Sequence, residues 1–190
     1  MTIDAAFTHF PLLSTKRLLL RQIQPEDVEA LFATFSDEEA MQFYGHEPHR
    51  SLEETRQALE QTQVRYAQRK AIRWGITLKG ADDRVIGSCS FHYFDSDFHR
   101  AETGYELNRA FWRQGLMAEA MSAILTYGFT ELGLHRVEAI IDIANEPSKK
   151  LLLKLGFTYE GNLRQRYAWR DRFEDEHYFG LLQDEWHGSV

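Results

Sequence analysis

The sequence has one cysteine, four prolines and no long apolar run. A single thiol, Cys89, closes no intrachain disulfide and supplies no cysteine zinc site. It lies in the apolar stretch 85–94 with no base paired to it in the sequence, so a buried, inert thiol is expected. The first ten residues, which include Asp4 and His9, lack the apolar centre of a secretory signal. No stretch approaches the roughly 20 apolar residues of a membrane-spanning helix. These absences lead to the expectation of a cytoplasmic protein with no membrane partner. Basic residues are in deficit, with 22 Lys and Arg against 29 Asp and Glu and a net charge of −7. Sequence-independent nucleic-acid binding needs a basic face that displaces counterions, so no nucleic-acid partner is expected. The acidic surplus would draw in cationic substrates, although the same charge also serves solubility.

Repeats, low-complexity tracts and Gly/Ser/Pro linkers are missing too. One domain spanning residues 1–190 is therefore expected, and that length buries a sizeable core without staples. The apolar pattern gives strands at 18–23, 71–78, 84–95, 101–107 and 137–143, and two long strands within 157–182 that turn near Asp171-Arg172. Pro25 opens a helix with the apolar stripe Val28, Leu31, Phe32, Phe35. Ser51 and Glu54 form a capping box for a helix running to about Arg69. A third helix runs from Leu116 to Leu132 and stops at Gly133; a short fourth begins at Pro147-Ser148 and stops at Gly156. The resulting order, β-α-α-β-β-β-α-β-α-β-β, predicts an α/β (α+β) fold. Its central sheet is mixed and mostly antiparallel, with about seven strands and helices on both faces.

The informative stretch lies between Tyr105 and Phe157. A strand ends at Leu107-Asn108, and the loop Trp112-Arg113-Gln114-Gly115-Leu116-Met117 leads into a helix. A strand–loop–helix of this kind turns free backbone N–H groups and the positive end of a helix dipole toward one spot, an anion site. Gly115 permits close approach of a phosphate, and Arg113 adds a charge-assisted contact. An ordinary strand-to-helix turn reads the same way in isolation.

Several further motifs follow at fixed spacing. They are Phe111-Trp112-Arg113-Gln114-Gly115-Leu116-Met117-Ala118-Glu119-Ala120, Arg136-Val137-Glu138-Ala139, Asn145-Glu146-Pro147-Ser148, Leu155-Gly156-Phe157 and Glu160-Gly161. Thr15-Lys16-Arg17-Leu18 near one end and Tyr178-Phe179-Gly180-Leu181-Leu182 near the other complete the pattern. Together they resemble the GNAT acetyltransferase superfamily, and within it the RimJ/RimL-like branch, over nearly the whole chain. Two positions depart from the superfamily pattern. Met117 stands where the loop usually ends in Gly or Ala, which a backbone-binding loop accommodates when the side chain points away. Leu152 stands where many members carry a Tyr that protonates the leaving thiolate, and the RimJ/RimL-like branch also tends to lack that Tyr.

The resemblance implies acetyl transfer from acetyl-CoA, as co-substrate, to a primary amine, either a peptide N-terminus or a small-molecule amine. It implies that backbone groups of Arg113, Gln114, Gly115, Leu116, Met117 and Ala118 hold the pyrophosphate. It implies that Leu107 and Asn108 pair with the pantetheine arm where two strands splay, with an N–H near Leu107 holding the oxyanion, and that Asn145 bonds the pantetheine amides. Members of the branch are often homodimers. From the residues themselves, Asn145 is equally a loop Asn bonding its own backbone. Ser148 is a candidate acid for the thiolate and also a good helix N-cap.

For the general base, Glu102 and Glu106 share one face of a strand, with Glu138 and Glu160 on neighbouring strands. Resemblance ranks Glu102 first and Glu160 second; salt bridges to Arg100 or Arg136, or loss of the proton to solvent, are the alternatives. His92, His99 and His135 read as packing, without metal-ligand spacing, so no metal is expected. Tyr44, Trp74 and Tyr167 are either acceptor-pocket walls or core. A non-catalytic acyl-CoA-binding regulatory module is the competing reading. A dinucleotide oxidoreductase is set aside because the sequence has no G-x-G-x-x-G.

Overall fold

The computed structural model describes residues 6–188. Residues 1–5, the start of the segment read for a signal sequence, and residues 189–190 lie outside the described residues. Eight strands form one sheet: β1 (Leu13–Ser14), β2 (Leu18–Gln22), β3 (Ala71–Leu78), β4 (Val85–Asp95), β5 (Arg100–Leu107), β6 (Arg136–Asp142), β7 (Thr158–Trp169) and β8 (Arg172–Leu182). Their spatial order is β1-β2-β3-β4-β5-β6-β8-β7. Every neighbouring pair is antiparallel except β5 and β6, which run parallel. The helices are α1 (Val28–Phe35), α2 (Glu38–Met41), α3 (Leu52–Ala67), α4 (Leu116–Thr130) and α5 (Glu146–Lys154). Among the described residues no helix is long and apolar enough to cross a membrane.

The sheet separates two unequal layers. On one face α4 is buried almost all round, with Ala120, Met121, Ile124 and Leu125 fully shielded against Trp74, Phe91 and Phe179. A helix this apolar is stable only as an interior element, which is why its sequence shows little amphipathic contrast. Leu152 and Leu155 of α5 extend the same core. On the other face α1 and α3 make a smaller cluster around Leu31, Phe35, Leu59 and Val85. Beyond that cluster the same sheet face carries polar residues on β3, β4 and β5, and there the cavity opens.

Capping chemistry sets the helix ends with small corrections. Ser51 Oγ accepts from Glu54 N–H at 3.3 Å, but the Glu54 carboxylate reaches back to the N–H of Arg50 rather than of Ser51. The helix predicted from Pro147-Ser148 begins at Glu146, because Asn145, not Ser148, is its cap and accepts the Ser148 N–H at 3.1 Å. Pro147 then sits in the first turn, where its missing N–H leaves no bond unmade. Three short elements have no periodic signature: β1, α2 and a 3₁₀ turn at Arg109–Phe111. Asp37 produces α2 by accepting from the N–H groups of Glu39 and Ala40, each at 3.0 Å.

Candidate active site

β5 and β6 run side by side for three residues only: Arg100 opposite Arg136, Ala101 opposite Val137, Glu102 opposite Glu138. Beyond Glu102 they part, and residues 103–107 and 139–142 line opposite walls of a cavity of about 990 Å³. Asn108 N–H donates to Ile86 O at 2.8 Å. Hydrogen-bonded and non-bonded pairs alternate along an antiparallel ladder. Leu107 opposite Gly87 and Tyr105 opposite Cys89 are therefore non-bonded pairs, and both turn their N–H groups away from β4 into the gap. Gly87 is required beside them, since a Cβ there would collide with the Glu106 carbonyl oxygen and stand 2.9 Å from Leu107 Cα. The Leu107 carbonyl is already engaged by the Trp112 indole N–H at 2.7 Å.

The loop after β5 reaches the helix through two left-handed residues, Arg113 at φ +60° and Gly115 at φ +73°. It is held from outside by Arg17. That side chain donates to Gln114 O at 2.9 Å and to Glu119 Oε2 at 2.6 Å, while Thr15 Oγ1 donates to Glu119 Oε1 at 2.6 Å. The first intrahelical bond of α4 runs from Glu119 N–H to Gly115 O. The N–H groups of Leu116, Met117 and Ala118 thus have no intrahelical acceptor, and all three residues line the cavity. Met117 is 8% exposed and packs in the main core, which leaves its N–H as the group without an intrahelical acceptor.

The far end of the cavity is built from side chains. His92 Nε2 and Glu102 Oε1 stand 3.1 Å apart where the strands fork. Glu106 is buried and fully engaged: Ser88 Oγ donates to it, Tyr44 OH donates at 2.9 Å and Arg73 Nη1 lies at 3.5 Å. Arg73 Nη2 also donates to Tyr44 OH at 2.8 Å, which closes the network. On the opposite wall Tyr167 OH donates to Asp142 Oδ2 at 2.6 Å, next to Glu176. Burial, helped by Glu102 and Asp142, pushes the Glu176 carboxyl up against the opposing pull of Arg166. The cavity therefore joins backbone donors at a helix N-terminus to a carboxylate-rich chamber.

Residues 17–158 match the family described as Acetyltransferase (GNAT) domain. The chain belongs to the GNAT acetyltransferase family. It is 42% identical to the uncharacterized N-acetyltransferase YoaA of Bacillus subtilis (strain 168), an alignment covering 82% of this chain and 88% of the relative. The ribosomal-protein-serine acetyltransferase of Escherichia coli (strain K12) is 27% identical, covering 54% of this chain and 58% of that one. The crystal structure of a GNAT-family acetyltransferase from Bacillus anthracis superposes with a TM-score of 0.82 at 27% identity, over 92% of this chain and 99% of the other. The protein is thus an N-acetyltransferase, and enzymes of this family draw the acetyl group from acetyl-CoA.

Within this GNAT site the residues singled out by sequence fall into groups. Leu107, Arg113, Gly115, Leu116, Met117, Ala118, Asn145, Ser148 and Glu102 all line the cavity. Asn108 and Gln114 do not: Asn108 Oδ1 caps the Ala110 N–H at 3.0 Å, and the Gln114 amide donates to Ala110 O at 3.2 Å. Glu160 also stands outside the lining, bridged to both terminal guanidinium nitrogens of Arg136, which hold its carboxyl below the usual range. Glu138 is likewise tied to Arg136, at 2.9 Å. Trp74 is core, its indole donating to Pro11 O at 2.8 Å, whereas Tyr44 and Tyr167 do line the cavity. Sequence reasoning read His92 as packing; the register that sets it opposite Glu102 is a long-range property that no local pattern reports. Among the described residues no group of three or more His, Cys, Asp or Glu is placed to hold a metal ion.

Proposed function

We propose that the gap between β5 and β6 receives acetyl-CoA and that the carboxylate-rich chamber receives the acceptor as a protonated primary amine, foremost the N-terminal α-amine of a peptide. The observation that carries this reading is the layout of the gap. Free N–H groups on β5 lie between the α4 N-terminus at one end and the Glu102–His92 pair at the other. The pyrophosphate would take the N–H groups of Leu116, Met117 and Ala118, with Arg113 alongside. The N–H groups of Leu107 and Tyr105 would hold the pantetheine arm and the thioester oxygen, a preorganised donor being worth roughly 3–4 kcal/mol in such a reaction. The Asn145 side-chain amide retains its N–H donors for the arm, because its Oδ1 is the atom that caps α5.

The amine must shed a proton before it attacks. Glu102 stands three residues from Tyr105, about 10 Å along the strand, so it takes that proton through water, with His92 steadying the carboxylate. Glu106 is less suited to the task because Arg73, Tyr44 and Ser88 saturate it. The acidic chamber favours a cationic acceptor on electrostatic grounds. A peptide N-terminus is placed ahead of a free small amine because a relative is named for acting on a ribosomal protein. The test is release of CoA thiol from acetyl-CoA with short peptides bearing Ser, Thr or Ala N-termini, against polyamines and aminoglycosides. Release that depends on the peptides supports the reading. Release only with small amines overturns the acceptor assignment, and tight acetyl-CoA binding without release from any amine overturns the transferase reading of this site.

A further inference from the structure

Tyr105 leaves β5 on the face opposite Glu102 and Glu106, toward α5 and the main core. Its hydroxyl oxygen is buried and has no hydrogen-bond partner. Buried hydroxyls are ordinarily paired, so an orphan one marks a place where an acceptor arrives with a ligand or where strain is stored. The neighbour it senses is the Ser148 side chain, whose hydrogen-bonding pull opposes the effect of burial on the phenol although the pair falls outside strict hydrogen-bond geometry. Ser148 is the only hydroxyl-bearing residue in α5, and both Tyr105 and Ser148 line the cavity. Asn145 Oδ1 accepts the Ser148 backbone N–H, a bond that does not engage the Ser148 hydroxyl.

We propose that Tyr105 is a positioning residue for departure of the thiolate: when acetyl-CoA fills the gap, the Tyr105 hydroxyl donates to Ser148 Oγ and thereby aims the Ser148 hydrogen at the leaving sulfur. This rests on the reading that acetyl-CoA lies between β5 and β6. In the step itself the amine nitrogen forms a bond to the thioester carbon, the carbon–sulfur bond breaks, and its electron pair goes to sulfur. Ser148 donates a hydrogen bond to that sulfur. Glu102 passes the proton it took before attack to solvent, and the proton that finally neutralises the sulfur derives from the ammonium formed on attack and reaches it through water. Tyr105 keeps its own proton throughout. Burial pushes its phenol up to about 12, so it remains a donor over the working pH range. A serine hydroxyl alone is an ill-directed donor; a second hydroxyl that donates to it removes the unproductive rotamers.

The test is Tyr105→Phe, which keeps the ring and removes only the unpaired oxygen. The expected result is a fall in kcat of about tenfold, part of the roughly 10²–10⁴-fold that a positioned proton donor supplies, with KM for acetyl-CoA within twofold. Ser148→Ala is expected to cost at least as much, and the double variant no more than Ser148→Ala alone. The ultraviolet absorbance of the thiolate, followed against pH for bound CoA, supplies a second readout. The thiol ionises at higher pH in Tyr105→Phe than in the unaltered enzyme, because a donor to the thiolate favours its charged form. A purely packing role for Tyr105 would leave both readouts unmoved. Full kcat with an unchanged thiol titration overturns the proposal, as do losses that simply add in the double variant. The titration needs no acceptor, so it decides the role of Tyr105 even if no amine supports turnover and the acceptor reading falls.

Discussion

The end of the cavity at α4 is built from backbone, and the end at the β5–β6 fork from side chains. In the proposed reading the working groups at α4 are N–H donors, whose direction depends on Arg113 and Gly115 holding left-handed conformations and on Arg17 pinning Gln114 and Glu119. On that reading side-chain identity matters little there, and Met117 is accommodated where the resemblance leads one to expect Gly or Ala. At the fork the chemistry depends on cross-strand register: His92 opposite Glu102, and Ser88 opposite Glu106. A one-residue slip would send each of these side chains to the other face of the sheet. The two ends should therefore respond differently to substitution, the first through conformation and cofactor affinity, the second through charge and rate.

The largest expected effect lies in the buried network at the fork. Arg73→Met leaves the Glu106 carboxylate, 5% exposed, with two neutral donors and no cation. Removing one partner of a buried ion pair costs about 3–5 kcal/mol, read as a shift of the urea midpoint. A near-neutral result would mean that Tyr44 and Ser88 suffice, and that the charge of Arg73 serves the ligand rather than the fold. Next comes Glu102→Gln, which keeps shape and removes the proton acceptor. We expect kcat to fall about hundredfold while KM for acetyl-CoA stays put, since a general base contributes about 10²–10⁴-fold. A variant with full rate across pH would remove Glu102 from the role and shift attention to solvent as the acceptor of the proton.

That contrast also explains what the sequence discloses. Conformational requirements leave local marks: Gly115 after a strand, Pro147 in a first turn, Gly156 beyond a helix at φ +92°. Those marks, in order and spacing, carried the fold and the loop that faces the cavity. Register leaves no local mark. The sequence showed four glutamates on neighbouring strands and offered Arg136 as a salt-bridge partner, but not which of them it holds, which are Glu160 and Glu138, nor that Arg73 holds Glu106 or that His92 meets Glu102. Tyr105 went unremarked for a similar reason. A tyrosine in a strand reads as packing until its hydroxyl is seen to lack a partner beside Ser148. Likewise, the three-residue pairing of β5 with β6, which opens the cavity, is invisible in two runs of good strand formers.

The remaining effects probe the backbone end. Gly115→Ala places a Cβ no closer than 3.6 Å to Arg17 Nη2, so space is not the obstacle. The obstacle is φ +73°, a conformation that costs an L-residue roughly 1–2 kcal/mol. If the loop relaxes to escape it, the N–H groups of α4 lose their aim, and KM for acetyl-CoA should rise more than kcat falls. Saturation kinetics on both substrates reads that split.

Met117→Leu should do least. The side chain is 8% exposed and belongs to the main core, and a swap of similar volume there costs less than about 1.5 kcal/mol. The N–H that faces the cavity belongs to the backbone and is untouched by the exchange. We expect KM for acetyl-CoA to be unchanged and the thermal midpoint to move by only a few degrees, by about 2–4 °C per kcal/mol in a chain of this size. A rise in KM without loss of stability would break the contrast between the two ends. It would mean that the methionine side chain itself touches the nucleotide, and that this end of the cavity, too, is read through side chains.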